Sequence, residues 1–178
     1  MQAQNPDELF DVVDADDRVI GQNIRSEVHR LKLMHRAVHV FVFDSNGRVY
    51  LQKRSMLKDT CPGLYTTSCA GHVDAGETYD IAVVRELDEE LGIRLPLGAL
   101  PQLLFKESPR EEIGWEFVQV YRLDWTGGIT PNPVEISGDW WGGAEELDAW
   151  MLRDPEMFSP SLSYLWQIFR KNSNDAEA

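Results

Sequence analysis

The chain reads as short runs of alternating apolar and polar residues, interrupted by three stretches whose apolar positions recur every three to four residues. Leu9 to Val13 and Arg18 to Gln22 flank the acidic turn Asp14-Ala15-Asp16-Asp17 and predict an amino-terminal hairpin. Ser26 is placed to cap a short helix ending near Leu33. Val38 to Phe43 and Arg48 to Gln52 bracket Asp44-Ser45-Asn46-Gly47, where Asn-Gly predicts a tight hairpin. Leu64 to Cys69, Leu103 to Lys106, Trp115 to Leu123 and Val134 to Trp141 predict further strands. Helical spacing marks the segment after Thr78, then Ala144 to Leu152 and Ser161 to Lys171, the last started by Ser159-Pro160-Ser161. No internal repeat or low-complexity linker divides these elements. The expected organisation is one domain over residues 1–171 with a hairpin extension at its amino end. Residues 172–178 form a polar tail expected to be disordered.

The helix after Thr78 carries the chemistry. Thr78 is a candidate N-cap and Gly92 a candidate C-terminal stop. At 100° per residue, Val84, Leu87 and Leu91 fall on one arc, expected to face a sheet. Glu86, Glu89 and Glu90 form a second arc, and the small side chain of Ala82 leaves room on that side. Acids so close together repel, and they lie at the helix end where the dipole favours cations. That arrangement points to a bound cation, and carboxylate oxygens suit Mg²⁺ or Mn²⁺, hard ions often shared with substrate phosphates.

The segment runs Gly71, Glu77, Arg85-Glu86-Leu87, Glu89-Glu90, Gly92-Ile93: nine defined positions over 23 residues. It resembles the signature of the Nudix hydrolases at every one. The resemblance implies an α/β fold, the Nudix-type α/β/α sandwich with a mixed β-sheet, and a metal-dependent hydrolase cutting a diphosphate linkage. It also implies roles. Glu86 and Glu90 would be the main metal ligands, with Glu89 as third ligand or base and the Ala70 carbonyl as a further ligand. Arg85 would orient the glutamates, with Glu77 as its partner. Glu135 and Glu116 are candidate bases outside the signature, and Glu135 reads equally well as a surface acid.

A second resemblance narrows the subgroup. His35-Arg36-Ala37, Arg54, Lys58, Pro62-Gly63, Thr67, Ser68, Gly71-His72, Gly76-Glu77 and Phe158-Ser159-Pro160 are similar to isopentenyl diphosphate isomerases, which share the fold. It makes Arg54 and Lys58 candidate diphosphate-binding residues, since phosphate oxygens take charge-assisted hydrogen bonds from such cations. The isomerase cysteine lies immediately before the Gly-His pair. Here Ala70 holds that position and Cys69 comes one residue earlier, a shift that reverses a strand side chain's direction. Cys69 is therefore expected to be a small buried residue. His35, His72 and Glu116 match isomerase metal ligands, but His29 is one residue out of register and Gly114 replaces an acid. This partial set leaves ordinary hydrogen-bonded histidines as the expectation.

Composition sets limits. Across 178 residues the net charge is −13, which argues against nonspecific nucleic-acid binding or docking on an anionic membrane. An anionic small-molecule substrate would need a local basic patch. No apolar run is long enough to span a bilayer, and MQAQNPDELF has neither the basic start nor the apolar core of a secretory signal. Cys61 and Cys69 offer no disulfide framework, so a cytoplasmic setting is expected. The family resemblance allows a homodimer. Trp115, Phe117, Tyr65, Phe105 and Trp140 could stack on a nucleobase but are expected mainly as packing residues.

Overall fold

The structure is a computed structural model describing residues 5–177, with side chains through residue 173. Its centre is β3 (His35–Phe43), whose residues from Ala37 to Phe43 are all buried. Such a strand must be covered on both faces, and its alternation shows how. Val38, Val40 and Val42 face one core, with Ala82, Val83, Leu87 and Leu91 of α2 (Tyr79–Leu91). Ala37, Phe41 and Phe43 face the other, with Leu147 of α3 (Ala144–Arg153) and Leu162, Leu165, Trp166 and Phe169 of α4 (Pro160–Glu177). The result is the expected sandwich of helix, mixed sheet and helix.

Among the described residues, the main sheet has seven strands. β3 runs parallel to β8 (Glu116–Asp124) and antiparallel to β6 (Cys69–His72). Beyond β8 lies β7 (Gln102–Glu107), while β4 (Val49–Arg54) pairs with β5 (Tyr65–Thr66) and β9 (Ile136–Gly142). A separate hairpin of β1 (Leu9–Val13) and β2 (Val19–Ile24) leads into α1 (Arg25–Leu31), as the amino-terminal pattern predicts.

Several local expectations need correction. The Asn46-Gly47 turn forms, but β3 and β4 pair only at Phe43 and Val49. They then diverge because β6 occupies that edge of β3, and only the tertiary fold specifies this competitor. Leu64 to Cys69 is not one strand: Thr67 and Ser68 separate β5 from β6, with Ser68 Oγ donating to the Tyr50 carbonyl. Ser26 is not the cap of α1; Ile24 holds that position without a side-chain bond. On α2 the buried arc contains Ala82, Val83, Leu87, Glu90 and Leu91, leaving Val84 half-buried. Ala82 thus packs in the core and is not a spacer beside exposed glutamates. At the carboxyl end, α4 continues to Glu177, since neither proline nor glycine interrupts the chain after Lys171. Ala178 lies outside the described residues.

Candidate functional site

A cleft of about 640 Å³ opens where β6 meets α2. Arg54, Lys58, Ala70, Arg85, Glu86, Glu89, Glu90 and Glu135 all line it. The signature carboxylates, Arg85, Ala70, the two candidate phosphate-binding cations and Glu135 therefore come to one place, which His72 and Glu116 also line and His35 does not.

The glutamates of α2 differ in surroundings. Thr78 Oγ1 accepts the Ile81 N–H at the helix start, and Gly92, at φ 64°, ends the helix, fixing their height along the axis. Glu89 is largely exposed, at 59% of its side chain, whereas Glu90 is buried. One oxygen of Glu90 accepts hydrogen bonds from Gln52 Nε2 at 2.8 Å and from the Ala70 N–H at 3.1 Å. Glu86 lies over Gly71, where a Cβ would fall 2.0 Å from its carboxyl group. Glycine there makes the room for this carboxylate. Burial, and then the charge of Glu90, push Glu86 up to about 8, with Arg85 opposing the shift.

Arg85 organises the cluster. It donates to both oxygens of Glu77 at 3.0 and 2.8 Å, to Glu86 at 2.6 Å, to Glu89 at 3.1 Å and to the His72 carbonyl at 2.9 Å. Glu77 also accepts the Asp74 N–H, anchoring the guanidinium to the loop between β6 and α2. Glu135 comes from the segment before β9 and forms a close ion pair with Lys58, which also faces Glu90 Oε1 at 3.7 Å. Arg54 donates to the carbonyl and hydroxyl of Thr60. Both sequence-predicted phosphate-binding cations thus reach the cleft while engaged to protein groups.

The histidines depart most from expectation. His29 from α1, His35 from β3 and His72 from β6 bring ring nitrogens within 4.8 Å of one another. Strand register explains part of this: His35 pairs directly with Glu116 across the parallel ladder, and Ala37 pairs with His72. Glu116 Oε1 lies 3.4 Å from His35 Nε2 and 3.1 Å from His72 Nε2. Phe10 stacks on the rings of both His35 and His72. His35 Nδ1 lies 2.9 Å from the Leu33 carbonyl, leaving its buried Nε2 without a hydrogen-bond partner, as is His29 Nε2. Arg25 donates to His72 Nδ1, so a neutral His72 carries its proton on Nε2, toward Glu116. Burial, helped by the neighbouring cations, lowers His29 to about 4; burial also lowers His72 to about 3, against the pull of Glu116. Despite its burial, Glu116 is held well below the usual carboxylate range by the adjacent His35 ring and by its hydrogen bond from His72.

His35 and His72 keep hydrogen bonds, as expected, but the three rings are gathered beside Glu116 instead of lying apart. The bare nitrogens of His29 and His35 beside Glu116 fit a divalent ion. His72 fits only if Arg25 releases it, because a guanidinium cannot give up its proton.

Comparison with known proteins identifies the framework. The NUDIX domain model matches residues 33–160. The chain belongs to the Nudix family. Among curated Nudix relatives, an isopentenyl-diphosphate Delta-isomerase of Serratia proteamaculans is 36% identical over 154 residues, covering 86% of each chain. An uncharacterized Nudix hydrolase of Streptomyces coelicolor is 37% identical over 145 residues, covering 80% of this chain and 77% of the relative. The crystal structure of DR0079 from Deinococcus radiodurans superposes with a TM-score of 0.79 at 31% identity, covering 90% of this chain and 98% of that one. Both resemblances read from the sequence are thus found in this Nudix chain.

Gln52 and Arg25 were missed at the sequence level. Gln52 has a signal, a fully buried polar residue within the apolar run of β4. Arg25 has none, since only the fold brings α1 to β6. Cys69 is buried in the core on the α2 side, as its register predicts, and burial raises its thiol pKa. None of the five candidate stacking aromatics lines the cleft. Tyr65 and Trp140 pack against Trp150, and Lys32 lies over Trp115.

Proposed function

We propose that this chain is a divalent-metal-dependent hydrolase acting on a diphosphate linkage in a nucleoside di- or triphosphate or a related nucleoside diphosphate derivative. The observation that carries the reading is the convergence of Glu86, Glu89, Glu90 and Ala70 on one cleft, with Gly71 making room for the Glu86 carboxylate. These acids are anionic oxygen donors in excess of the local cations, the donor set that Mg²⁺ or Mn²⁺ takes. Glu86 and Glu90, with Glu89 and the Ala70 carbonyl, would hold the ion. When bound, it would neutralise phosphate charge and make a nearby water more acidic.

The chain's own residues supply the rest. Arg54 and Lys58 turn toward the phosphate oxygens. Glu89 or Glu135 takes the proton as water oxygen attacks phosphorus and the bridging P–O bond breaks, releasing a phosphorylated product. Glu89 is the more exposed of the two, and Glu135 is paired with Lys58 in this state. Arg85 positions Glu86 and Glu89 without being a ligand. A small-molecule substrate and a cytoplasmic setting accompany this reading. Among the described residues, no helix is long and apolar enough to cross a membrane.

An isomerase acting on an isoprenoid diphosphate is the second reading, favoured by the His29, His35, His72 and Glu116 nest and by the names of several relatives. Ala70 stands where its cysteine would be, and Cys69 points into the core, so hydrolysis is preferred. A nucleotide-sensing module ranks lower because the signature is intact. The test is product release from nucleoside di- and triphosphates, dinucleotides, nucleotide sugars and isoprenoid diphosphates with Mg²⁺ or Mn²⁺. Turnover that collapses in Glu86→Gln and Glu90→Gln supports hydrolysis. No turnover from a folded protein, with proton exchange on isopentenyl diphosphate, establishes the isomerase instead.

A further inference from the structure

The acids of the cleft divide between two cations. Arg85 spends its donors on Glu77, Glu86, Glu89 and the His72 carbonyl, and none reaches Glu90. Glu90 is 3% exposed, and both N–H donors it receives go to Oε2. Its other oxygen faces the Lys58 ammonium. A buried carboxylate without a counter-charge is strongly destabilising, and Lys58 supplies that charge to Glu90 Oε1. The backbone holds it there: Lys58 N–H donates to the Ser55 carbonyl, and Ser55 N–H donates to the carbonyl of Glu135. The turn carrying Lys58 is therefore tied to the segment carrying Glu135. A lysine suits a temporary role better than an arginine, being a mobile point charge on a flexible stem.

We propose that Lys58 is the resident counter-ion of this cleft, bridging Glu90 and Glu135 in the cation-free protein and competing with a divalent ion for Glu90. The proposal rests on the metal-site reading above. Entry of the ion moves the ammonium off Glu90 and frees it for phosphate oxygens. Lys58 is thus a positioning residue for Glu90 before it is a substrate contact.

The experiment is Mn²⁺ titration of the full chain without substrate, followed by loss of the free-ion electron paramagnetic resonance signal. Lys58→Met should bind Mn²⁺ at least roughly tenfold more tightly than wild type, since a competing charge about 4 Å away is gone. Lys58→Arg should stay within about threefold of wild type, because the charge is kept. Glu135→Gln should weaken binding, because Lys58 then turns wholly to Glu90, and the double variant should match Lys58→Met. Lys58→Gln repeats the test should Lys58→Met fail to fold. Unchanged Mn²⁺ affinity with a raised KM would make Lys58 a substrate contact only and overturn the proposal. Weaker Mn²⁺ binding would make it a support for the ligands and overturn it equally. A double variant weaker than Lys58→Met would make Glu135 a ligand in its own right and overturn its action through Lys58. Wild type binding no better than Glu86→Gln would instead overturn the metal-site reading itself, and this proposal with it.

Discussion

Two polar clusters meet at the Gly71-His72 end of β6, and they solve opposite problems. On the α2 side, acids outnumber cations and are held by Arg85 and Lys58. On the α1 side, histidine rings stacked under Phe10 share one acid, Glu116, and two ring nitrogens have no hydrogen-bond partner. The first cluster suffers from excess negative charge, the second from burial that disfavours the charged forms of His29 and His72. The same short strand end thus places two different chemistries within one cleft.

The largest expected effect separates the two clusters by metal ligation. Glu86→Gln and Glu90→Gln should each reduce turnover by more than the roughly 10–100-fold that loss of a supporting partner costs. Glu77→Gln, which removes only the anchor of Arg85, should fall within that 10–100-fold range. Steady-state rates of the three variants side by side check the order, and equal losses would break the distinction between ligand and support.

Gly71→Ala sharpens the contrast between stability and function. The added Cβ meets the far end of the Glu86 side chain, which can swing away. The fold should stay within about 1 kcal/mol of wild type, while Mn²⁺ affinity falls by roughly 10–100-fold. Urea melts and metal titration on the same sample decide this. A large stability loss with normal metal binding would show that Glu86 holds its place and the backbone moves.

Proton linkage should carry opposite signs in the two clusters. Glu86 is raised to about 8 from an ordinary 4.5, so the folded protein holds more protons in that window. Its contribution to stability is full below about pH 4.5 and is lost as pH rises to 8. His29 and His72 are lowered to about 4 and 3 from 6.5, so the unfolded chain binds more protons there. Their contribution is full above about pH 6.5 and is lost as pH falls toward 3–4. Chemical denaturation from pH 4 to 9 should show Glu86→Gln flattening the alkaline limb and His29→Asn the acid limb. Both variants acting on the same limb would merge the clusters into one titrating unit.

The smallest effect concerns the residue that separates hydrolase from isomerase. Cys69→Ala should cost about 1 kcal/mol of stability through lost packing and leave turnover unchanged. A loss of turnover without unfolding would return Cys69 to the reaction.

The two clusters also differ in how legible they were. The glutamates of α2, with Arg85 and Glu77, lie within 23 consecutive residues, and helix geometry translates spacing directly into direction. The arc of Glu86, Glu89 and Glu90 is legible from spacing, and the roles of Arg85 and its Glu77 partner from the family resemblance. What spacing could not give was depth: Glu90 sinks into the core beside Leu87 and Leu91, while Glu89 stays in solvent. The histidine cluster draws on α1, β3, β6 and β8, and residue matching alone left ordinary hydrogen-bonded histidines as the expectation.

By itself, then, the sequence determined most strands and helices to within a few residues and the identity of the carboxylate helix, while the sandwich came from the family resemblance. The elements follow from local periodicity and capping, which act over a single turn or hairpin. Tertiary structure alone decided that β6 displaces β4 from β3, that Lys58 faces Glu90 and Glu135, and that Arg25 reaches His72. Those are choices among competing partners far apart in the chain. They are settled by which register buries β3 on both faces, a property of the packed sheet and of no segment within it.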